Sequence, residues 1–306
     1  MARKIIEINK NGSSTSSFGT VSRIGHNSEK FYNSKLYNGA NFKTKGATVS
    51  QNENVLSLEF LNTVILSSSE KMNELPDNCL HLMITSPPYN VTKDYDDDLT
   101  LSEYLNLLFD VFSETYRVLV NGGRACINIA NVGRKPYIPL ATHITQMMLQ
   151  IGYLMRGEII WNKGAAAGTS MAWGSWQSAS NPVLRDVHEY ILVFSKGDFK
   201  RTVKDKENTI TKEQFMEYTK SVWNMNTESA KRVGHPAPFP LELPHRLIQL
   251  YSFKDDIILD PFMGSGTTAI AAINANRNFI GYELSEEYHK LATVRIAENT
   301  NSMFGA

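Results

Sequence analysis

Two short stretches carry residue types at spacings suited to chemistry. In the first, Ile257-Ile-Leu-Asp260-Pro-Phe-Met-Gly264-Ser-Gly266-Thr-Thr268, an apolar run enters a glycine turn that opens onto an Ala-rich helical pattern, Thr267–Ala275. Gly264 and Gly266 let the backbone turn sharply and let a ligand approach with no Cβ in the way. The exposed N–H groups at the start of the helix favour an anion. A second apolar run ends at Glu283, 23 positions after Asp260. An acid there, at the tip of the adjacent strand, can accept both hydroxyls of an adenosyl ribose. A glycine pair alone often marks only a tight turn, but strand, turn, helix, strand and terminal acid together predict a nucleoside site.

The type of nucleoside follows from what is missing. A phosphate loop needs a lysine, and Gly266-Thr267-Thr268 has none. Ala269 takes the third-glycine position of a dinucleotide fingerprint, a tolerated variant. Asp260 would repel a pyrophosphate and attract an ammonium, which favours an amino-acid-bearing nucleoside, S-adenosylmethionine. The second stretch is Thr85-Ser86-Pro87-Pro88-Tyr89-Asn90, directly after the buried run Leu80–Thr85. Two prolines fix φ and remove two N–H groups, holding the chain extended beyond the strand's C-terminal edge, where ligands of open α/β sheets bind. The Ser86 side chain and the Pro87 carbonyl then present two acceptors, with an aromatic plane at Tyr89. That set suits a planar exocyclic amine, although Ser-Pro-Pro-Tyr is also an ordinary polyproline turn.

These residues need a frame to hold them. Leu101–Val120 is apolar at helical spacing, and Asn121-Gly-Gly123 is expected to stop that helix before a strand at Arg124–Ala130. Pro139–Gly152 and Pro240–Ser252 read as helices, while Tyr153–Trp161, Glu189–Ser195, Asp256–Asp260 and Asn278–Glu283 read as strands. Regular alternation of strand and helix predicts an α/β fold with a mostly parallel sheet and helices on both faces.

Composition narrows the class. The 306 residues balance 31 basic against 31 acidic side chains, and no apolar run suffices to cross a bilayer. Two cysteines, Cys79 and Cys126, are too few for a disulfide framework and lie in apolar runs. A cytoplasmic protein with no metal site is the expectation. Asp94, Asp96, Asp97 and Asp98 read as a solvated loop, and His143, His188, His235 and His245 show no ligand spacing. The first fifty residues carry eight basic side chains against two acidic ones and are rich in Ser, Thr, Asn and Gly. They read as a basic, partly disordered arm, either a solubilising tail or a strap along a phosphate backbone. All four tryptophans fall between Trp161 and Trp223; Trp173 and Trp176 lie in a Gly/Ala/Ser-rich loop, 164–186. Residues 196–232 carry nine basic side chains against six acidic ones, Lys200, Arg201 and Lys204 among them, suited to phosphate contacts.

The two motifs resemble the cofactor and catalytic motifs of the S-adenosylmethionine-dependent DNA amino-methyltransferases, which methylate N4 of cytosine or N6 of adenine. The likeness runs from residue 55 to residue 295. It includes Arg117-Val-Leu-Val-Asn-Gly-Gly123, Gly157-Glu-Ile-Ile-Trp-Asn-Lys163, His188-Glu-Tyr-Ile-Leu-Val-Phe-Ser195 and His235-Pro-Ala-Pro-Phe-Pro240. The catalytic motif precedes the cofactor motif, the order of the family's β group. The resemblance implies a Rossmann-like methyltransferase fold, a mostly parallel seven-stranded sheet that is circularly permuted, with a small target-recognition insertion. It divides the chain into an arm (1–50), a catalytic half (51–197), a recognition segment (198–234) and a cofactor half (235–306). It implies Ser86, Pro87, Pro88 and Tyr89 as catalytic, and Asp260, Phe262, Gly264, Ser265, Gly266, Thr267, Glu283, Ser68 and His235 around S-adenosylmethionine. Relatives carry an acid where Ser68 stands, so Ser69 or Glu70 is a candidate substitute for the adenine contact. Trp173, Trp176, Lys200, Arg201 and Lys204 are the expected DNA contacts.

The expected partner is duplex DNA with its target base flipped out. A cognate restriction endonuclease and a second copy of the chain stand as candidate companions, in a bacterial or archaeal cytosol near the nucleoid. Serine at position 86 resembles the N4-cytosine enzymes; N6-adenine enzymes usually carry Asp or Asn there. A cysteine-dependent route to carbon 5 of cytosine does not fit, since neither cysteine adjoins Ser-Pro-Pro. The competing expectations are N6-adenine methylation, a protein or RNA methyltransferase, and a nucleotide-binding regulator without chemistry.

Overall fold

In the computed structural model, residues 50–89, 99–164, 173–201, 203–228 and 239–304 are described, besides Lys35. Thr48–Ala306 makes one compact unit. Its strands, in chain order, are β1 (Thr63–Leu66), β2 (Leu80–Thr85), β3 (Leu119–Ile129), β4 (Val132–Gly133), β5 (Tyr137–Ile138), β6 (Leu154–Asn162), β7 (His188–Ser195), β8 (Val222–Asn224), β9 (Ile257–Asp260) and β10 (Asn278–Glu283). The helices are α1 (Leu101–Val118), α2 (Leu140–Ile151), α3 (Lys212–Tyr218), α4 (Glu242–Tyr251), α5 (Thr267–Asn274) and α6 (Glu286–Phe304).

Eight strands form one sheet in the order β1-β10-β9-β2-β3-β7-β6-β8. Every strand of it runs parallel to β2 except β7, which is antiparallel to both neighbours. Both faces are covered because apolar side chains alternate sides. Met83, Leu259 and Ile280 face the layer of α1 and α2. Leu82, Ile84, Ile258 and Phe279 face the layer of α4, α5 and α6. The α/β fold anticipated from sequence is present, with one more strand than the seven expected. Val222–Asn224, inside the segment read as an insertion, pairs with the end of β6 and buries Trp223, so burial of that indole extends the sheet edge.

Local signals explain most boundaries. Thr100 and Glu103 form a reciprocal cap at the start of α1. Gly152 ends α2 in the left-handed conformation. The expected stop at Asn121-Gly-Gly123 is different: α1 ends at Val118 and the glycines lie inside β3, in a register shift against β2. Gly122 has φ +75°, and a Cβ there would meet the Arg201 backbone at 2.7 Å, so the glycine serves a close crossing rather than a helix end.

Gly281 in β10 lies opposite Asp260, directly under the turn that follows β9. A Cβ on it would stand 2.1 Å from Met263 Cε and 3.1 Å from Met263 Cβ. Gly281→Ala should therefore lower the urea midpoint, by about 1–3 kcal/mol of overpacking. An unchanged midpoint would show that Met263 moves aside freely.

Candidate active site

The two sequence motifs meet at the centre of the sheet. Strands β2 and β9 pair in register, Leu82 with Ile258 and Met83 with Leu259, so their C-terminal tips end side by side. There Thr85 Oγ1 donates to Asp260 Oδ1 at 2.7 Å, Thr268 Oγ1 of α5 donates to Oδ2 at 2.6 Å, and the Phe262 amide donates to Oδ1 at 3.1 Å. Asp260 is 1% exposed, and burial pushes its carboxyl up to about 7 against those hydrogen bonds. This corrects the expected attraction of an ammonium. The side chain faces protein donors rather than a ligand, and its burial weakens its charge.

The turn beyond Asp260 is fixed from three sides. Gly264 and Gly266 adopt φ +53° and +82°, and α5 starts at Gly266 with no side-chain cap. The Glu283 carboxylate, at the tip of β10, accepts the Gly264 amide at 2.8 Å through Oε2 and the Ser285 amide at 2.9 Å through Oε1. Each of those oxygens keeps a second lone pair. From the loop after β1, Ser69 Oγ donates to the Pro261 carbonyl at 2.8 Å, and Ser68 Oγ donates to Glu70 Oε2 at 2.8 Å. Ser265 and Thr267 are buried and Phe262 half-buried around the turn. A Cβ-free turn, an uncapped helix start and a carboxylate with spare lone pairs form a donor and acceptor set that fits a nucleoside with an amino-acid tail. His235 lies outside the described residues.

On the β2 side, Ser86 and Tyr89 belong to a polar cluster drawn from four elements. Ser86 Oγ donates to Tyr89 Oη at 3.3 Å, and Tyr89 Oη donates to Glu189 Oε2 at 2.9 Å. Asn128 Nδ2, on β3, lies 2.5 Å from Glu189 Oε2 and 3.5 Å from Ser86 Oγ. Lys163, just past β6, pairs with Glu189 Oε1. Glu189 reaches this edge because β7 runs antiparallel, so its first residues meet the last residues of β2, β3 and β6. Pro87 is buried and Pro88 half-buried, in keeping with a rigid segment. Burial beside Glu189 raises the Tyr89 hydroxyl well above its ordinary value. Asn128, Glu189 and Lys163 escaped the sequence reading. A single acid inside the otherwise apolar His188-Glu-Tyr-Ile-Leu-Val-Phe-Ser195 was the available signal.

The expected DNA contacts divide between two edges. The loop joining β6 to β7 leaves from the edge that carries Ser86. In it Trp173 and Trp176 meet edge to face at 5.3 Å, Arg185 stacks on Trp173 at 3.9 Å, and Trp176 is 65% exposed. Arg201 lies at the opposite edge, its guanidinium buried against Asp256, the residue before β9, with Nη2 3.1 Å from Oδ1. Lys200 and Lys204 are exposed on that same crossing. The DNA role expected for these three is thus corrected: the segment after β7 runs along the N-terminal ends of the parallel strands. Cys79 and Cys126 are both buried, and burial pushes the Cys79 thiol up to about 12 and the Cys126 thiol further. Asn90 and the Asp94–Asp98 stretch fall outside the described residues, as does most of the basic arm.

A family model described as DNA methylase matches residues 80–294. The chain is 31% identical over 278 residues to the Type II methyltransferase M.MjaI of Methanocaldococcus jannaschii, covering 76% of this chain and 90% of that one. It is 32% identical over 272 residues to the Type II methyltransferase M.MthZI of Methanothermobacter thermautotrophicus, covering 77% and 76%. The Thermus thermophilus protein TTHA0409, named as a DNA modification methylase and solved with S-adenosyl-L-methionine, matches with a TM-score of 0.64 at 29% identity, over 78% of this chain and 94% of that one. The PvuII DNA methyltransferase, named as cytosine-N4-specific, shares the fold with a TM-score of 0.61 at 18% identity, over 78% and 90%. The chain belongs to the S-adenosylmethionine-dependent DNA amino-methyltransferases of the N4-cytosine/N6-adenine family. Among the described residues, no helix is long and apolar enough to cross a membrane.

Asp260 makes stability depend on pH in an unusual direction. Its folded value, about 7, stands above its unfolded value of 3.8, so the folded state retains a proton that the unfolded state releases. The contribution is complete below the unfolded value and is lost as pH rises through the folded one. Asp260→Asn has no such proton. Urea midpoints measured from pH 5 to pH 8 should show wild type losing ground to Asp260→Asn as pH rises, and a constant difference would refute the raised value.

Proposed function

We propose, with membership of this family as the premise, that the enzyme methylates the N4 amine of cytosine flipped out of duplex DNA, as the modification partner of a restriction endonuclease. The reading rests on one observation above all: Ser86 and the glycine turn occupy neighbouring strand tips, locked by the 2.7 Å bond from Thr85 to Asp260. Serine at the first catalytic position supports N4 of cytosine over N6 of adenine, and both named archaeal relatives are Type II methyltransferases.

S-adenosylmethionine supplies a methyl group already activated on a sulfonium. The chain's own residues supply position and polarity. Backbone N–H groups at the open start of α5 and the spare lone pairs of Glu283 hold the two ends of the nucleoside, the tail and the ribose. The exocyclic amine is a poor nucleophile because its lone pair is delocalised into the ring. Ser86 Oγ and the Pro87 carbonyl accept its two hydrogens, which lets the nitrogen pyramidalise as the methyl approaches. Acceptors aimed at charge that grows only in the transition state raise the rate without tightening ground-state binding. Tyr89 provides a ring on which the flipped base stacks. The loop bearing Trp173, Trp176 and Arg185 faces the duplex beside the pocket, residues 51–197 and 235–306 serve as catalytic and cofactor halves, and the basic arm lies along phosphates.

Labelled methyl transfer into duplex DNA followed by nucleoside chromatography tests the reading directly. N4-methylcytosine is expected; N6-methyladenine would move the substrate to adenine, and no label in DNA would end the proposal. Ser86→Ala should lower kcat by roughly 10²–10³, the size of losing one transition-state contact, with cofactor Kd unchanged. Tyr89→Ala should weaken capture of the flipped base by about 1–3 kcal/mol. Loss of cofactor binding instead would remove Tyr89 from the base pocket.

A further inference from the structure

A serine hydroxyl accepts an amine hydrogen only when its own hydrogen points elsewhere, because the group is donor and acceptor at once. The cluster beside Ser86 determines where that hydrogen goes. Asn128 must turn its nitrogen toward Glu189, since a carbonyl oxygen at 2.5 Å from a carboxylate would be repelled. That nitrogen also faces Ser86 and offers it no acceptor. Tyr89 gives its hydrogen to Glu189 at 2.9 Å, which leaves its oxygen lone pairs open toward Ser86 at 3.3 Å. Lys163, on the other carboxylate oxygen, supplies the countercharge that makes Glu189 the terminal acceptor.

We infer that Glu189, acting through Tyr89 and held by Lys163, is a positioning residue that turns the Ser86 hydroxyl hydrogen inward and its lone pairs toward the target amine. The chain of donors runs Ser86 to Tyr89 to Glu189. No covalent bond changes, and no proton leaves its oxygen. The 3.3 Å first link is long, and such contacts tighten once substrate is bound. Tyr89 then has two separable parts: a ring that holds the base and a hydroxyl that orients the acceptor. Asn128 Oδ1, turned away from Glu189, is buried with no hydrogen-bond partner. That is the arrangement to expect if the amide is held by its nitrogen alone.

The inference rests on Ser86 being the acceptor of the amine, and a double-mutant cycle separates the two claims. Tyr89→Phe and Glu189→Gln should each lower single-turnover methyl transfer by roughly ten- to a hundredfold, as expected for a misaligned reactant. The KM for DNA, the cofactor Kd and the thermal midpoint should stay in place. In a Ser86→Ala background the same two substitutions should cost nothing further, since no hydroxyl remains to orient. A merely structural role would give the same loss in both backgrounds, or would move KM and the midpoint, and either result overturns the inference. Full activity in Tyr89→Phe or Glu189→Gln overturns it too, and decides the matter if Ser86→Ala turns over too slowly to read. Full activity in Ser86→Ala would instead remove Ser86 as the amine's acceptor and leave the orienting device without a purpose.

Discussion

Asp260 ends β9 almost wholly out of water, and three donors from three segments converge on its carboxyl: the Thr85 hydroxyl, the Thr268 hydroxyl and the Phe262 amide. A buried carboxyl is costly unless its lone pairs are satisfied. Satisfying this one requires β2, the glycine turn and α5 to be in place together. Thr85 and Asp260 are 175 positions apart, yet the bond admits little play between the catalytic and cofactor segments. Glu283 and Ser69 add further ties from β10 and from the loop after β1, both to the same turn. The geometry that a methyl transfer needs is therefore set by the fold itself, before any ligand contributes.

What the sequence revealed and what it concealed follow from the range of the interactions involved. Asn278–Glu283 and Leu80–Thr85 were legible as strands because each is an unbroken apolar run flanked by breakers. The glycine turn was legible because positive φ at Gly264 and Gly266 restricts residue choice locally. The glycines of β3 misled for the same reason: a glycine records a local constraint without saying whether a turn or a close crossing imposes it. Strand β8 is three residues long and is strand only because β6 lies beside it, and α6 has no sharp apolar stripe to announce it. The cluster of Asn128, Lys163 and Glu189 was concealed more deeply. Each residue is unremarkable within its own strand, and they meet only because β7 is reversed.

That reversal also separates the two edges of the sheet. Loops that leave the C-terminal ends of β2, β3 and β9 share an edge with the loop entering β7, so Trp173, Trp176 and the catalytic segment are neighbours in topology. The chain leaving β7 emerges at the other edge. There Arg201 is drawn into a buried charge cluster with Asp256 and Glu53, and the Glu53 carboxyl is held down at about 2, first by its hydrogen bond with His81. A count of basic residues along the chain cannot distinguish these edges, because strand direction decides which residues face a ligand and which brace the base of the sheet.

The choice of serine carries a requirement that an acid would not. A carboxylate beside the amine offers lone pairs in any orientation, but it also brings a charge that must be desolvated as the base closes over it. A hydroxyl avoids that charge and introduces a rotor. Left alone, the rotor's hydrogen could point at the amine and oppose the lone pair that must form there. Placing the charge one hydroxyl further back, on Glu189 with Lys163 as its counterion, keeps it off the reacting atoms while its field still reaches Ser86 through Tyr89. A chain of polarised hydroxyls transmits that preference better than a distant charge alone, since each bond strengthens its neighbour in a low-dielectric site. The motif Ser-Pro-Pro-Tyr is then a unit with a physical logic: the prolines fix the path of the backbone, and the tyrosine three residues on joins the serine to a carboxylate that the motif does not contain.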